Sequence, residues 1–141
     1  MEAQSGRFTQ GRGQATRSRL LWVGLLAAMV AAAANSLVRV ISVILFDIPP
    51  DFQPLTLGPV VISSVVGALG ATVAFGIVIR FARRPIRLFR TVAVVVLLLS
   101  FLNPILALPE ASLQTILTLE FMHVVVAAVS VGLLTTLARS E

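Results

Sequence analysis

Residues 20–46 read LLWVGLLAAMVAAAANSLVRVISVILF, a stretch whose only charged side chain is Arg39. As a helix, at ~1.5 Å of rise per residue, it is long enough to cross the ~30 Å hydrocarbon core of a bilayer. A soluble domain of 141 residues could not bury this much apolar surface, since 57% of the chain is hydrophobic, 12% is charged and the mean hydropathy is +1.00. The sequence therefore predicts an integral membrane protein.

Three further apolar segments follow the first one, at about 57–81, 88–108 and 112–138. Each is long enough to cross the bilayer as a helix. The connection FARRPIRLF (81–89) is short, so the second and third segments should be antiparallel neighbours. We predict an all-α membrane protein whose residues 19–141 form a four-transmembrane-helix antiparallel up-down bundle, with helices at about 20–46, 57–81, 88–108 and 112–138.

The net charge is +5, and most charged residues lie in the segments that flank the apolar stretches and not along one helix face. Ten of the arginines flank the apolar segments: Arg7, Arg12, Arg17, Arg19, Arg80, Arg83, Arg84, Arg87, Arg90 and Arg139. In the other two connections the charged residues are all acidic, namely Asp47, Asp51 and Glu110. By the positive-inside rule, both termini and the central connection should be cytoplasmic, which is an N-in/C-in topology. This distribution does not favour nucleic-acid binding.

The basic residues also suggest a location and a lipid partner. The chain has arginine but no lysine and is rich in Ala, Val, Leu and Gly, which is typical of a GC-rich bacterial genome. We therefore expect the protein in the bacterial cytoplasmic (inner) membrane. The arginines of the central connection should meet anionic lipid headgroups, each with ~1 kcal/mol of attraction near the surface. These residues are Arg80, Arg83, Arg84 and Arg87.

Residues 1–18, MEAQSGRFTQGRGQATRS, have too little apolar surface to pack, and we expect a disordered, basic cytoplasmic tail. An alternative is a signal peptide, with Arg17 and Arg19 before an apolar core and a small-residue site in AAAA (31–34). The apolar pattern continues through VRVISVILF (38–46), well past a normal cleavage point, which favours a retained first helix.

Small residues spaced three and four apart predict how the helices pack, because lipid gives no hydrophobic force between them. A period near 3.5 is typical of a left-handed bundle. The predicted packing faces, helix by helix, are Gly24, Ala28, Ala31, Asn35 and Ser42; Ser63, Gly67, Gly70 and Ala74; Ala93, Val96, Ser100 and Asn103; and Glu120, His123, Ala127 and Ser130. The second face, within SSVVGALGA, is the best defined.

Polar side chains inside three segments fall at similar depths. Arg39 lies about 12 Å from Asp47 along the helix, and Glu120 lies about 15 Å from Glu110. A charged side chain at such depth usually turns inward and pairs. We predict an Arg39–Glu120 ion pair near the outer face of the bundle.

Three more polar residues should complete this cluster. Asn35 and Asn103 should supply hydrogen bonds to the pair, and His123 should lie one turn below it. The cluster could serve only to specify helix register, or it could form a functional polar pocket. A third alternative is that Arg39 extends outward toward Asp47 or Asp51.

Known catalytic and metal chemistries fit the sequence poorly. Glu120 and His123 have the Glu-x-x-His spacing of dinuclear metal bundles, but such sites need the motif twice with two further carboxylates. The chain has one histidine and no cysteine, so we expect no metal, haem or other cofactor. His123 beside Glu120 could still relay protons.

Two local signals concern helix ends. Pro104 should interrupt the third helix one turn earlier, near Ser100, because proline lacks a backbone N–H. Ser112 should cap the start of the fourth helix.

Several motifs together resemble a family of small four-helix bacterial membrane proteins of uncharacterised function, common in actinobacteria. The motifs are ANSLVR, PPDFQPLT, VVGALGA, FARRPIRLFR and MHVVVAAV. The similarity runs from about residue 20 to residue 137. It implies the four-helix architecture and supplies no substrate, cofactor or catalytic residue.

The sequence therefore favours a non-enzymatic accessory or small-ligand-binding membrane protein with a polar pocket of Asn35, Arg39, Asn103, Glu120 and His123. The alternative is a small homo-oligomeric transporter or proton-coupled carrier that uses Glu120 and His123. Beyond the lipid bilayer, the expected partners are a second copy of the chain or another membrane protein.

Overall fold

The computed structural model describes the backbone of residues 5–49 and 51–138, with side chains from Arg17 onward. Within these ranges the chain is helical, without strands. The helices are α1 (Ser5–Phe46), α2 (Leu57–Phe81), α3 (Pro85–Ser100), α4 (Leu102–Ala107) and α5 (Leu113–Leu137), with a 3-10 turn at Gln53–Leu55. The spans long and apolar enough to cross a membrane are Arg17–Phe46, Leu57–Phe81, Pro85–Ala107 and Leu113–Leu137. The all-α class and the four spans are thereby confirmed.

The first helix extends into the N-terminal tail, because α1 begins at Ser5. The tail's predicted disorder stays a prediction. Residues 1–4, the side chains of Arg7 and Arg12, and Arg139 lie outside the described part of the chain.

The connection between α1 and α2 is anchored to the helices. Asp47 has a φ of 51°, in the left-handed region that aspartate tolerates better than most residues, and the chain turns there. Ile48 and Leu55 are both buried and form one cluster with Val60 and Met122. The connection thus covers the end of the α1, α2 and α5 packing.

The third span is interrupted as predicted. α3 ends at Ser100 and α4 begins at Leu102. Pro104 cannot donate to the carbonyl of Ser100, so the helical bonding pattern fails one turn before the proline. The start of the span differs from the prediction, since α3 begins at Pro85 and not at residue 88. Proline is favoured in a first helical turn, where its missing N–H costs nothing.

The predicted cap of the last span is also confirmed. Ser112 precedes α5, and its Oγ accepts a hydrogen bond of 3.3 Å from the backbone N–H of Thr115. The bond satisfies one of the N–H groups that a helix start leaves without a partner.

The predicted packing face of α1 is confirmed, since Gly24, Ala28, Ala31, Asn35 and Ser42 are all buried. A Cβ atom built on Gly24 would lie 2.5 Å from Thr72 of α2. Only glycine permits this approach of α1 to α2.

The predicted packing face of α2 needs correction. Ser63, Gly67 and Gly70 are exposed and Ala74 is half-buried. The buried side chains of α2 are instead Val60, Ser64, Ala68, Thr72 and Phe75. The physical reason is that the rotation of α2 about its axis depends on its partner helices, and the spacing of small residues within α2 does not determine it.

Helix α3 is held mainly near its first turns. Phe89 is the only α3 side chain that is fully buried within the described range. Its ring centroid lies 4.8 Å from that of Phe75, with the ring planes tilted by 56°, a favourable aromatic geometry. Farther along α3, Val94, Val95 and Val96 are at least half exposed. Beyond Phe89, no α3 side chain in the described range is fully buried.

Candidate functional site

Asn35 joins three helices. Its Nδ2 donates to Ser64 Oγ on α2 at 2.9 Å and to the Met122 carbonyl on α5 at 3.2 Å. The Ser64 hydroxyl donates its own proton to the Val60 carbonyl at 2.7 Å, so its oxygen is free to accept. Because the Met122 carbonyl can only accept, the amide nitrogen must point toward it. The orientation of the Asn35 amide is therefore determined.

This orientation leaves the other end of the amide without a partner. Asn35 is 2% exposed, and its Oδ1 accepts no hydrogen bond from any described residue. An unsatisfied buried acceptor costs ~1–3 kcal/mol, and such groups call for an explanation.

His123 offers a second acceptor close to this node. Its Nδ1 lies 2.7 Å from the Leu119 carbonyl. A carbonyl cannot donate, so Nδ1 carries the hydrogen, and in the neutral ring Nε2 is then an acceptor. His123 directly follows Met122, whose carbonyl binds Asn35. The two side chains therefore belong to one level of the bundle.

Both residues line a cavity of about 570 Å³ that is bounded mainly by α2, α3 and α5. This volume falls within the ~300–1,000 Å³ typical of small-molecule sites. Most of the wall is apolar. The polar residues in it are Asn35, Ser63, Ser100, His123 and Ser130.

The open side of the cavity lies between α2 and α3. The lining residues Ser63, Val66, Gly67, Gly70 and Val96 are exposed on the protein surface. All five belong to helices long and apolar enough to cross a membrane. An opening at this height would face lipid and not bulk water.

The predicted Arg39–Glu120 ion pair is not formed. Arg39 Nε donates to the Leu55 carbonyl in the 3-10 turn, and neither Glu120 carboxylate oxygen has a hydrogen-bond partner in the described chain. Of the three alternatives, the outward direction comes closest for Arg39, although its partner is a backbone carbonyl and not Asp47 or Asp51. Loop carbonyls leave no trace in a sequence pattern, which is why this partner was missed.

The predicted cluster is therefore divided. Asn35 and His123 come together at the cavity, whereas Arg39 joins the α1–α2 connection. Asn103 is exposed on α4, and neither it nor Glu120 lines the cavity. The carrier function predicted for Glu120 and His123 stays a prediction.

Two residues at the site were absent from the predicted cluster. Ser64 binds Asn35. The sequence pattern that could have identified it is the series of residues spaced four apart from Val60 through Ala68 to Thr72, which forms the buried face of α2. Ser130 is 1% exposed, lines the cavity and has an Oγ without a partner among the described residues. The sequence predicts Ser130 only as part of a packing face.

The arginines of the central connection are all exposed: Arg80, Arg83, Arg84, Arg87 and Arg90. The guanidinium carbon of Arg80 lies 5.8 Å from the ring centroid of Phe81, within the range of a cation–π contact. The others are free to meet a charged surface, and their predicted contact with anionic headgroups stays a prediction.

Comparison with known proteins identifies the family but no activity. The model of a family of unknown function, DUF6069, matches residues 15–140, so the chain belongs to that family. Neither curated proteins nor solved structures include a match to this chain.

Proposed function

We propose that this member of DUF6069 is a non-enzymatic protein of the bacterial inner membrane that binds a small lipid-soluble molecule. The observation that carries the proposal is the cavity of about 570 Å³, lined by Asn35, whose buried Oδ1 lacks a partner. A mostly apolar wall with a few polar groups is the usual composition of a small-molecule site.

The position of the opening supports a ligand that arrives through the bilayer. The exposed lining residues Val66, Gly67 and Gly70 of α2 and Val96 of α3 belong to membrane-spanning segments. A water-soluble ligand would have to cross lipid to reach them, whereas a lipid-soluble one would only diffuse sideways.

A binding role fits the serine hydroxyls on this side of α2 better than catalysis does. Ser63 Oγ donates to the Val60 carbonyl at 3.2 Å, and Ser64 Oγ donates to the same carbonyl. Neither hydroxyl is bonded to His123, so neither is arranged as a base-activated nucleophile.

The proposed topology is antiparallel, with both termini and the central connection in the cytoplasm. Contacts between α1 and α2 support antiparallel packing, since Gly24 approaches Thr72 while Asn35 approaches Ser64. The arginines at one end and the acidic residues at the other support the orientation. In this arrangement Arg80, Arg83, Arg84 and Arg87 would contact anionic headgroups.

The topology is tested readily because the chain has no cysteine. Single variants Arg84→Cys and Glu110→Cys are treated in intact cells with a membrane-impermeant maleimide. We expect labelling at position 110 in intact cells, and labelling at position 84 only after lysis. The opposite pattern would reverse the proposed orientation.

Ligand binding is tested with hexadecanol that carries a photoreactive diazirine in mid-chain, added to protein in lipid nanodiscs. After irradiation, mass spectrometry of peptides maps the cross-links. We expect labelling of cavity residues on α2, α3 and α5. Labelling confined to the outer faces of the helices would contradict the proposal.

A matched pair of glycine variants supplies the control. A Cβ atom at Gly70 or at Gly132 meets nothing within 4 Å, and only Gly70 lines the cavity. Gly70→Leu should fill part of the cavity and lower the cavity labelling about tenfold, as a ~1.4 kcal/mol loss of binding would. Gly132→Leu should leave it unchanged. Equal labelling in both variants would rule out the cavity as the binding site. If the wild-type protein forms a dimer and Gly70→Leu does not, the face around Gly70 binds a second copy of the chain.

A further inference from the structure

Two residues that line the cavity, Asn35 and His123, each carry a hydrogen-bond acceptor without a partner among the described residues. Asn35 Oδ1 is one, since the amide nitrogen is committed to Ser64 and Met122. Nε2 of His123 is the other when the ring is neutral, since Nδ1 then donates to the Leu119 carbonyl. Neither assignment can be reversed by turning the side chain over, because the Met122 and Leu119 carbonyls accept and never donate.

We infer that the cavity selects lipid-soluble alcohols, molecules with an apolar body and a neutral hydroxyl group that donates to Asn35 Oδ1 or His123 Nε2. This inference rests on the proposed function and adds the chemical class of the ligand. A hydroxyl group carries one hydrogen, so an alcohol can donate to one of these two acceptors at a time.

Other lipid headgroups fit these two acceptors less well. A ketone, ether or ester oxygen would place a third acceptor against two acceptors, with no proton to share between them. An ionised phosphate or carboxylate would add negative charge beside them. Arg39 is the charged residue in the apolar part of α1 that could attract such an anion, but it does not line the cavity.

Ser130 is a weaker determinant of ligand choice. It lies seven residues beyond His123 on the same helix, about 10 Å farther along the cavity wall. Serine in a membrane helix can rotate its hydroxyl to a carbonyl three or four residues earlier, as Ser36 and Ser64 do. Ser130 can therefore satisfy its Oγ without a ligand, whereas the Asn35 amide is held in place.

The test compares the diazirine-bearing hexadecanol with its methyl ether, which keeps the chain and the oxygen but has no O–H group. Both probes are cross-linked to the wild-type protein in nanodiscs at equal concentration. We expect the alcohol to label the cavity residues at least about tenfold more, the ratio that one hydrogen bond to a buried acceptor supplies at ~1.4 kcal/mol per factor of ten.

Two substitutions of His123 locate the source of the preference. His123→Gln places an amide near the Nε2 position, where its oxygen can still accept, and should retain the preference for the alcohol. His123→Asn reaches only the Nδ1 position and should reduce the preference about threefold or more, with Asn35 Oδ1 as the remaining acceptor. A thermal unfolding curve shows whether each variant is folded, and the wild-type ratio stands whatever the variants do.

The outcomes separate the inference from the function on which it rests. Cavity labelling that is equal for both probes, or stronger for the ether, would overturn the selection of alcohols and leave the binding function intact. An unchanged preference in folded His123→Asn would overturn the role of Nε2. Absence of cavity labelling by the alcohol would instead overturn the proposed function.

Discussion

Helices α1, α2 and α5 pack as a tight unit, whereas α3 is held mainly at one end. The tight unit contains the alanine cluster of Ala27, Ala28, Ala31 and Ala68 and the hydrogen bonds of Asn35. Helix α3 contributes Phe89 as its one fully buried side chain in the described range.

This difference shows what holds helices together in lipid. Apolar side chains gain little by leaving hydrocarbon for protein, so association depends on close backbone approach and on hydrogen bonds between helices. Helix α1 provides both, through Gly24 and Asn35. The polar groups of α3 are used locally, as when Ser100 Oγ donates to the Leu97 carbonyl. The space beside α3 is the cavity.

The largest expected effect comes from separating α1 and α2. Gly24→Leu would drive a side chain into Thr72 and should destabilise the bundle by about 3 kcal/mol, the upper end of the usual cost of overpacking. Unfolding is measured in detergent with increasing denaturant. Gly132→Leu, where a Cβ meets nothing within 4 Å, should change stability little. Equal losses in both variants would show that the contact with Thr72 is unimportant.

A smaller and local effect should follow from releasing α3. Phe89→Ala removes the contact with Phe75 and should cost about 2 kcal/mol, below the 3–5 usual in soluble cores because lipid can solvate the exposed groups. Hydrogen exchange should rise in residues 85–107 while the α1, α2 and α5 peptides stay protected. Phe81→Ala is the control, because Phe81 is 79% exposed. Uniform loss of protection would mean that α3 belongs to the tight unit.

The Asn35 node should contribute about 1 kcal/mol, since hydrogen bonds between membrane helices average ~0.6 and rarely exceed ~1.7. Asn35→Leu keeps a similar volume and removes the bonds to Ser64 and Met122. Thermal stability in nanodiscs measures the loss. Asn103→Leu, at an exposed position, should be neutral or slightly stabilising. If Asn35→Leu leaves the thermal stability unchanged, Asn35 serves ligand binding and not helix packing.

The smallest expected effect concerns the connection between α1 and α2. Arg39→Met removes the bond to the Leu55 carbonyl and also removes a charge from the membrane, so the net loss should be only about 0.5 kcal/mol. Hydrogen exchange should increase at residues 51–56, and Arg90→Met at the exposed start of α3 should have no such effect. Unchanged exchange in Arg39→Met would mean that the buried Ile48 and Leu55 suffice to anchor the connection.

The sequence by itself determined the features that arise within one segment. The four spans follow from apolar length, the interruption before Pro104 from a missing N–H group, and the start of α5 from the Ser112 cap. The packing face of α1 also follows from its own pattern of small residues. Each of these depends on neighbours along the chain, so one segment suffices to predict it.

Only the tertiary structure decided which polar groups meet, because this depends on how each helix is rotated about its axis. Adjacent residues on a helix point about 100° apart. Ser63 and Ser64 look alike in the sequence, yet one lines the open side of the cavity while the other binds Asn35. The same rotation turns Gly67 and Gly70 away from α1 and makes them the wall of the cavity, and no pattern within α2 alone could reveal it.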